Sequence, residues 1–299
     1  MSGKYMAYVG SYSYTGKAKG ITVFDVDVEN GMFKERCEIE VDNSSYVIAS
    51  SDGKTLYSIA DEGVVSFRIL PNGSLARLNS SSIRGMRGCH LCTDEEDKYV
   101  FVSGYHDGKT TVLNLNPDGS VGKIVDGVFD RGYGSVAERN FRPHVTCTRR
   151  MPDNRFVLSV DNGIDQVKIY RFNDKEQKLV QVDAIRCDLE SAPRHFRYSK
   201  DGKFIYLMYE LKKAIEVYTY KTGDRAPVIE KIQTISTTST KNPDNLTAAC
   251  AMRMSIDQKY IYCTNAGENT ISVYKRDEET GLLSMICCLP ISGSYPKDV

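Results

Sequence analysis

One unit recurs along the chain, and a recurring unit constrains architecture before any single motif does. Its clearest copy opens with Arg194-His195-Phe196-Arg197-Tyr198-Ser199 and turns at Lys200-Asp201-Gly202-Lys203. It continues through the apolar stretch 204–209 and the alternating stretch 214–220. Equivalent turns stand at Ser51-Asp52-Gly53-Lys54, Glu96-Asp97-Lys98, Pro152-Asp153-Asn154-Arg155 and Ile256-Asp257-Gln258-Lys259. Asp-Gly and Asp-Asn steps favour the positive φ angles of tight hairpins. Val167-Lys168-Ile169-Tyr170, Ile215-Glu216-Val217-Tyr218 and Ile271-Ser272-Val273-Tyr274 place an apolar side chain at every second residue. Period two is the signature of a strand. The helical periodicity that βαβ units require is missing.

The residue opening each copy aligns as Tyr46, His90, His144, His195, Ala251 and Asp298, at intervals of 44 to 56 residues. Such intervals suit the four-stranded blades of a β-propeller. The stretches 5–12 and 20–28 match the later strands of a repeat without its first, and Ser294-Tyr295-Pro296-Lys297-Asp298-Val299 matches a first strand alone. The expectation is an all-β, seven-bladed β-propeller of four-stranded antiparallel blades. It would form a single domain over 1–299, with the last blade largely missing and the chain cut short at its C-terminus by about one blade.

Charge and cysteine content narrow the partners. The 39 basic and 39 acidic side chains cancel, and nucleic-acid or polybasic membrane binding needs a cationic face. No stretch approaches the roughly 20 apolar residues of a membrane span, and the opening MSGKYMAYVG holds no leader-like apolar run. Nine cysteines without such a leader read as reduced thiols. A cytoplasmic protein with no nucleic-acid or membrane partner is therefore expected.

In an antiparallel blade the start of strand one meets the end of strand two, and repetition carries every such pair to one rim. His90, His144, Arg194 and His195 belong to the first set, and Asp61, Tyr105, Asn162, Glu210 and Ala266 to the second. Acidic and basic groups converging in a concave site favour chemistry. Cys89-His90-Leu91-Cys92 has the spacing of a metal half-site, but no second pair completes it. No metal and no cofactor is expected.

Several short motifs occur in an order that is similar to one family. They are Tyr8-Val9-Gly10-Ser11-Tyr12 with Gly20-Ile21, Gly88-Cys89-His90-Leu91, Arg142-Pro143-His144-Val145, Ala192-Pro193-Arg194-His195-Phe196 and Tyr295-Pro296-Lys297-Asp298. Along its whole length the chain resembles the seven-bladed propeller lactonases, typified by bacterial 6-phosphogluconolactonases and including the fungal carboxy-muconate cyclases. The resemblance implies a metal-independent hydrolase opening a small-molecule sugar lactone, 6-phosphoglucono-1,5-lactone, to 6-phosphogluconate in the pentose phosphate route.

It also implies catalytic roles for His144, Arg194 and Glu210. Glu210 or His144 would take a proton from water, and Arg194 would stabilise the oxyanion or hold a phosphate. His90 and His195 would bind hydroxyls or orient their neighbours. Three family positions differ here: a second His is Thr146, an Asn is Tyr209 and an Arg is Ala266, with Arg253 of the same blade as a substitute for the last. A non-catalytic propeller binding a ligand or protein, or a lactonising enzyme of the muconate type, are the alternative readings.

Overall fold

The computed structural model describes residues 5–134, 141–240 and 246–299. Residues 1–4, part of the opening segment read above for a leader, lie outside them. Among the described residues, 23 strands form six antiparallel sheets in which neighbouring strands follow one another in sequence. The first sheet has three strands, Tyr5–Gly10, Gly20–Asp27 and Met32–Glu40. The other five have four strands each and span 47–82, 90–129, 145–186, 193–236 and 248–290. Contacts divide the chain into two compact units, Met1–Asp130 and Arg131–Val299, with three sheets in each.

The sheets are copies of one blade, as the repeats require. In each, one backbone N–H after the last strand closes onto the carbonyl just before the third strand of the repeat. The pairs are Val41 to Lys19, Ile83 to Glu62, Asp130 to Gly108, Cys187 to Asp165, Thr237 to Lys213 and Ile291 to Asn269. A β-bulge also recurs between the last two strands of every sheet, at Val23/Phe24, Ser66/Phe67, Val112/Leu113, Ile169/Tyr170, Val217/Tyr218 and Val273/Tyr274. The first sheet shares both marks, so it comprises strands two to four of a blade and lacks the first. Six blades are built among the described residues, not seven. Residues 291–299, where the repeat was expected to begin again, carry no strand.

The Asp turns form as their sequence dictates. Ser50, Ser199 and Ser255 donate their hydroxyls to Asp52, Asp201 and Asp257, and each carboxylate accepts the N–H of the following Lys. The residue just before the Lys or Arg takes a positive φ in all five turns: Gly53 at 67°, Asp97 at 49°, Asn154 at 55°, Gly202 at 68° and Gln258 at 59°. These short-range bonds set strand register. A one-residue slip would turn every apolar side chain outward.

Burial falls from the second strand of a blade to its last. Phe204–Tyr209 is wholly buried, whereas Val228–Ser236 is mostly open. Leu158, Val160, Phe196, Leu207 and Tyr209 pack between the fourth and fifth sheets. Tyr206, Met208, Val217, Met252 and Tyr274 pack between the fifth and sixth.

Register corrects one alignment. His90 pairs with Ser103, Cys147 with Val160, His195 with Met208 and Ala251 with Thr264. Cys147, not His144, therefore matches His90 and His195. The likeness of Pro143-His144 to Pro193-Arg194-His195 misled the alignment by three residues. His144 instead ends the loop into its strand, accepting the N–H of Asn162 as Ala192 accepts that of Glu210.

Candidate active site

Arg194 owes its orientation to a second bulge. Pro193 pairs with Tyr209 and His195 with Met208, so Arg194 falls outside the ladder. Thr146 and Cys250 are bulged at the same place in the fourth and sixth sheets. A bulge re-aims the side chain it carries. The Arg194 guanidinium uses two edges: Nη1 donates to Glu210 Oε2 at 2.6 Å and Nε to the Cys250 carbonyl at 2.8 Å. Thr146 Oγ1 donates to the Arg194 carbonyl at 2.7 Å, so the hydroxyl at the family's second-histidine position holds the arginine's backbone.

Glu210 follows the second strand of the fifth sheet. Its N–H donates to Ala192 and its carbonyl accepts from Ala249. Asn162, at the same place in the preceding blade, donates Nδ2 to Glu210 Oε2 at 3.2 Å. The carboxylate and guanidinium of the fifth sheet thus meet an amide from the fourth and a carbonyl from the sixth. The side chains of Arg194 and Glu210 remain 23% and 12% accessible, so a small solute can touch both. A fixed cation beside a carboxylate can bind a polarised carbonyl and a water together.

His144 adjoins this group through its backbone bond to Asn162, but the residue is only 4% exposed. Asp161 anchors the corner by accepting the N–H groups of His144 (2.8 Å), Gly163 (3.0 Å) and Ile164 (3.3 Å). Gly163 is the tightest point. A Cβ there would lie 1.8 Å from the Arg142 carbonyl oxygen and 2.7 Å from His144 Cδ2. Gly163→Ala should push the 142–144 segment away from Asn162 and cost about 1–3 kcal/mol as overpacking. Urea denaturation measures this, and a stability equal to the parent protein's would contradict the packing.

His195 is held neutral. Burial pushes its imidazole well below the ordinary histidine range, and the charges of Arg194, Arg197, Arg253 and Arg149 push it the same way. A depressed folded-state value means that the unfolded chain protonates first as pH falls. The associated stability is complete above about 6.5 and is lost as pH drops below it toward the folded value. His195→Asn should therefore lose less stability than the parent protein between pH 7.5 and 5.5 in thermal melts; equal losses would refute this.

The remaining expected residues are placed differently. His90, in the first unit, is fully buried with its ring 4.8 Å from that of Tyr46. Arg253 binds the C-terminal residues, with Nη2 on Asp298 at 2.6 Å and Nε on the Val299 carbonyl at 3.2 Å. Ala266, at the place of Glu210 in its blade, is wholly buried. Tyr209 points away from Glu210 and enters the apolar core, so its departure from the family pattern falls on packing.

One cluster escaped the sequence reading. In the first unit Asp61, which shares the repeat position of Asn162 and Glu210, accepts from Arg87 Nη1 at 2.9 Å and from Asn43 Nδ2 at 3.0 and 2.9 Å. The Arg87 guanidinium lies 4.9 Å from the Tyr12 ring centroid. Arg87 stands three residues before His90, as His144 stands before Cys147. That offset is the signal that could have found it.

Strand order, the repeated bulges and a polar group at the blade ends define a propeller of the kind that carries sites on its loops. The chain belongs to the family described as "Lactonase, 7-bladed beta-propeller", which matches residues 6–299. A Bacillus subtilis protein named 6-phosphogluconolactonase is 29% identical over 301 residues, covering 99% of this chain and 84% of its own. The crystal structure of a provisionally named 6-phosphogluconolactonase from Bacteroides fragilis superposes with a TM-score of 0.86 at 29% identity, covering 99% of this chain and 84% of that one. The periplasmic gluconolactonase of Pseudomonas aeruginosa gives a TM-score of 0.88 at 24% identity, covering 97% and 84%, which bears on the fold alone.

Proposed function

We propose that the protein hydrolyses a sugar lactone, with 6-phosphoglucono-1,5-lactone as the substrate, and that Arg194 and Glu210 do the chemistry. The observation that carries this reading is the accessible ion pair at 2.6 Å braced by Asn162 and the Cys250 carbonyl. Family membership and the name of the Bacillus subtilis relative support the reaction class.

In this reading the Glu210 carboxylate takes a proton from water as the water oxygen attacks C1 of the lactone. The carbonyl oxygen gains negative charge against the Arg194 guanidinium, which is charged at every working pH. Collapse of the tetrahedral intermediate breaks the C1–O5 bond. The proton on Glu210 passes to O5, and the product is an open-chain hydroxy acid. A positioned base contributes about 10²–10⁴-fold. That suffices for a lactone that already opens in water.

His144, nearly closed off, is assigned the wall of the site and the placement of Asn162. Neutral His195 is assigned a sugar hydroxyl. The muconate reading loses support at Ala266, where a further cation for a second carboxylate is absent.

Spectrophotometric or pH-stat assay of freshly generated lactone, corrected for spontaneous opening, tests the proposal. Protein-dependent opening that saturates with substrate is expected. Opening at the spontaneous rate at every protein concentration would refute it.

A further inference from the structure

The first unit holds a polar group built like the one around Glu210. There Glu210 takes Arg194 and the Asn162 amide. Asp61, at the same repeat position, takes Arg87 Nη1 at 2.9 Å and the Asn43 amide at 3.0 and 2.9 Å. Both Asp61 oxygens are engaged, so its carboxylate is fixed in place as an acceptor. The Arg87 guanidinium makes no other hydrogen bond among the described residues, which leaves donors on Nε and Nη2.

Exposed aromatic rings flank this group. Tyr12 and Tyr14 are 48% and 74% exposed, with ring centroids 5.8 Å apart and planes inclined at 63°. The backbone beneath them is pinned. The N–H groups of Ser13 and Tyr14 donate to Asn43 Oδ1 at 3.0 Å each, and the Asn43 N–H donates to Ser13 Oγ at 2.9 Å. Asn43 itself takes a φ of 52°, a conformation asparagine adopts more readily than most residues. One asparagine thus ties the tyrosine loop to the carboxylate. A surface fixed before binding loses less entropy on binding.

The chemistry selects the ligand. Asp61 offsets the charge of Arg87, so neither an anion nor a cation is strongly drawn. The Arg87 guanidinium 4.9 Å from the Tyr12 ring centroid further disfavours a cation there. A hydroxyl both donates and accepts, so adjacent hydroxyls can donate to Asp61 while accepting from Arg87. The C–H face of a sugar ring can lie on a tyrosine face, which is apolar and electron-rich. We propose that Tyr12, Tyr14, Asp61 and Arg87 form a second binding site, for a neutral sugar in its ring form. This site goes beyond the lactonase reading and does not depend on it.

D-glucose titrated by saturation-transfer NMR tests the site, with thermal melts as the folding control. Binding should persist in Glu210→Gln, where the proposed active site is altered. Adding Tyr14→Ala or Asp61→Asn to that variant should weaken it about tenfold, the effect of removing one partner from a paired site. D-glucitol, which has the hydroxyls without the ring, should bind about tenfold more weakly than glucose by the same reasoning. Tyr14 is largely exposed, so Tyr14→Ala keeps the test if Asp61→Asn fails to fold. Affinity unchanged in the folded Tyr14 and Asp61 variants would overturn the site, as would glucitol binding as well as glucose or no glucose binding at all. Glucose binding abolished by Glu210→Gln alone would put the sugar at the proposed active site and overturn this one. Binding that depends on Tyr14 and Asp61 in a protein that opens no lactone would support this site and refute the lactonase reading separately.

Discussion

Arg194→Ala lowers lactone turnover by about 10²–10³-fold, the loss typical when a group facing a developing oxyanion is removed. Glu210→Gln, which keeps the shape and removes the basic oxygen, lowers it by about 10²–10⁴-fold. Both variants should remain folded, because the pair sits at the mouth of the blades and not in the apolar cores. Arg194→Lys should recover little. One ammonium cannot reach Glu210 and the Cys250 carbonyl from two edges as the guanidinium does at 2.6 and 2.8 Å. The losses in Arg194→Ala and Glu210→Gln should not add in the double variant, since the two groups act on one transition state. Steady-state kinetics on the purified variants, with circular dichroism to show the fold, measures all of this. Turnover within threefold of the parent protein in both single variants would remove the assignment.

Glu216→Ala destabilises the protein by about 3–5 kcal/mol, the usual cost of stripping one partner from a buried ionic network. The Glu216 side chain is 4% exposed. Its carboxylate accepts from Tyr209 Oη at 2.6 Å, Lys212 Nζ at 2.8 Å and Lys231 Nζ at 3.1 Å, and also from Tyr218 Oη. Burial alone would raise its carboxyl, but the bonds from Lys212, Tyr209, Tyr218 and Lys231 outweigh burial and hold it at about 2. Its stabilisation is therefore complete above the ordinary carboxylate range and is lost as pH falls through about 2. Glu216→Gln preserves shape and some hydrogen bonds, so it should cost less than Glu216→Ala. Urea denaturation at pH 7 separates the variants. A loss under 1 kcal/mol for Glu216→Ala would contradict the network.

The blades were legible because their grammar is local. An Asp turn, two alternating strands and a bulge lie within one copy, and each copy repeats the evidence. The missing first strand of the first blade could be read the same way, from the match of 20–28 to later third strands. The site was partly legible: Arg194, Glu210 and Asn162 were placed at blade ends by repeat position alone. What failed was register at His144, because the likeness of Pro143-His144 to Pro193-Arg194-His195 set the alignment three residues away from Cys147, which occupies that place in the ladder. The bond from Arg253 to Asp298 was illegible for another reason: the two stand 45 residues apart, and no periodic rule joins them. Tyr209 shows the reverse lesson: it departs from the family pattern next to Glu210 in sequence, yet strand alternation sends it to Glu216 and the core.

The central claim is that a lactone carbonyl sits between Arg194 and Glu210. A crystal structure of the protein with a non-hydrolysable lactam analogue of the sugar lactone tests it most directly. The account predicts the analogue's carbonyl oxygen within hydrogen-bonding distance of the Arg194 guanidinium, with Glu210 facing the same carbonyl carbon. An analogue bound with its carbonyl oxygen out of reach of Arg194 would contradict it.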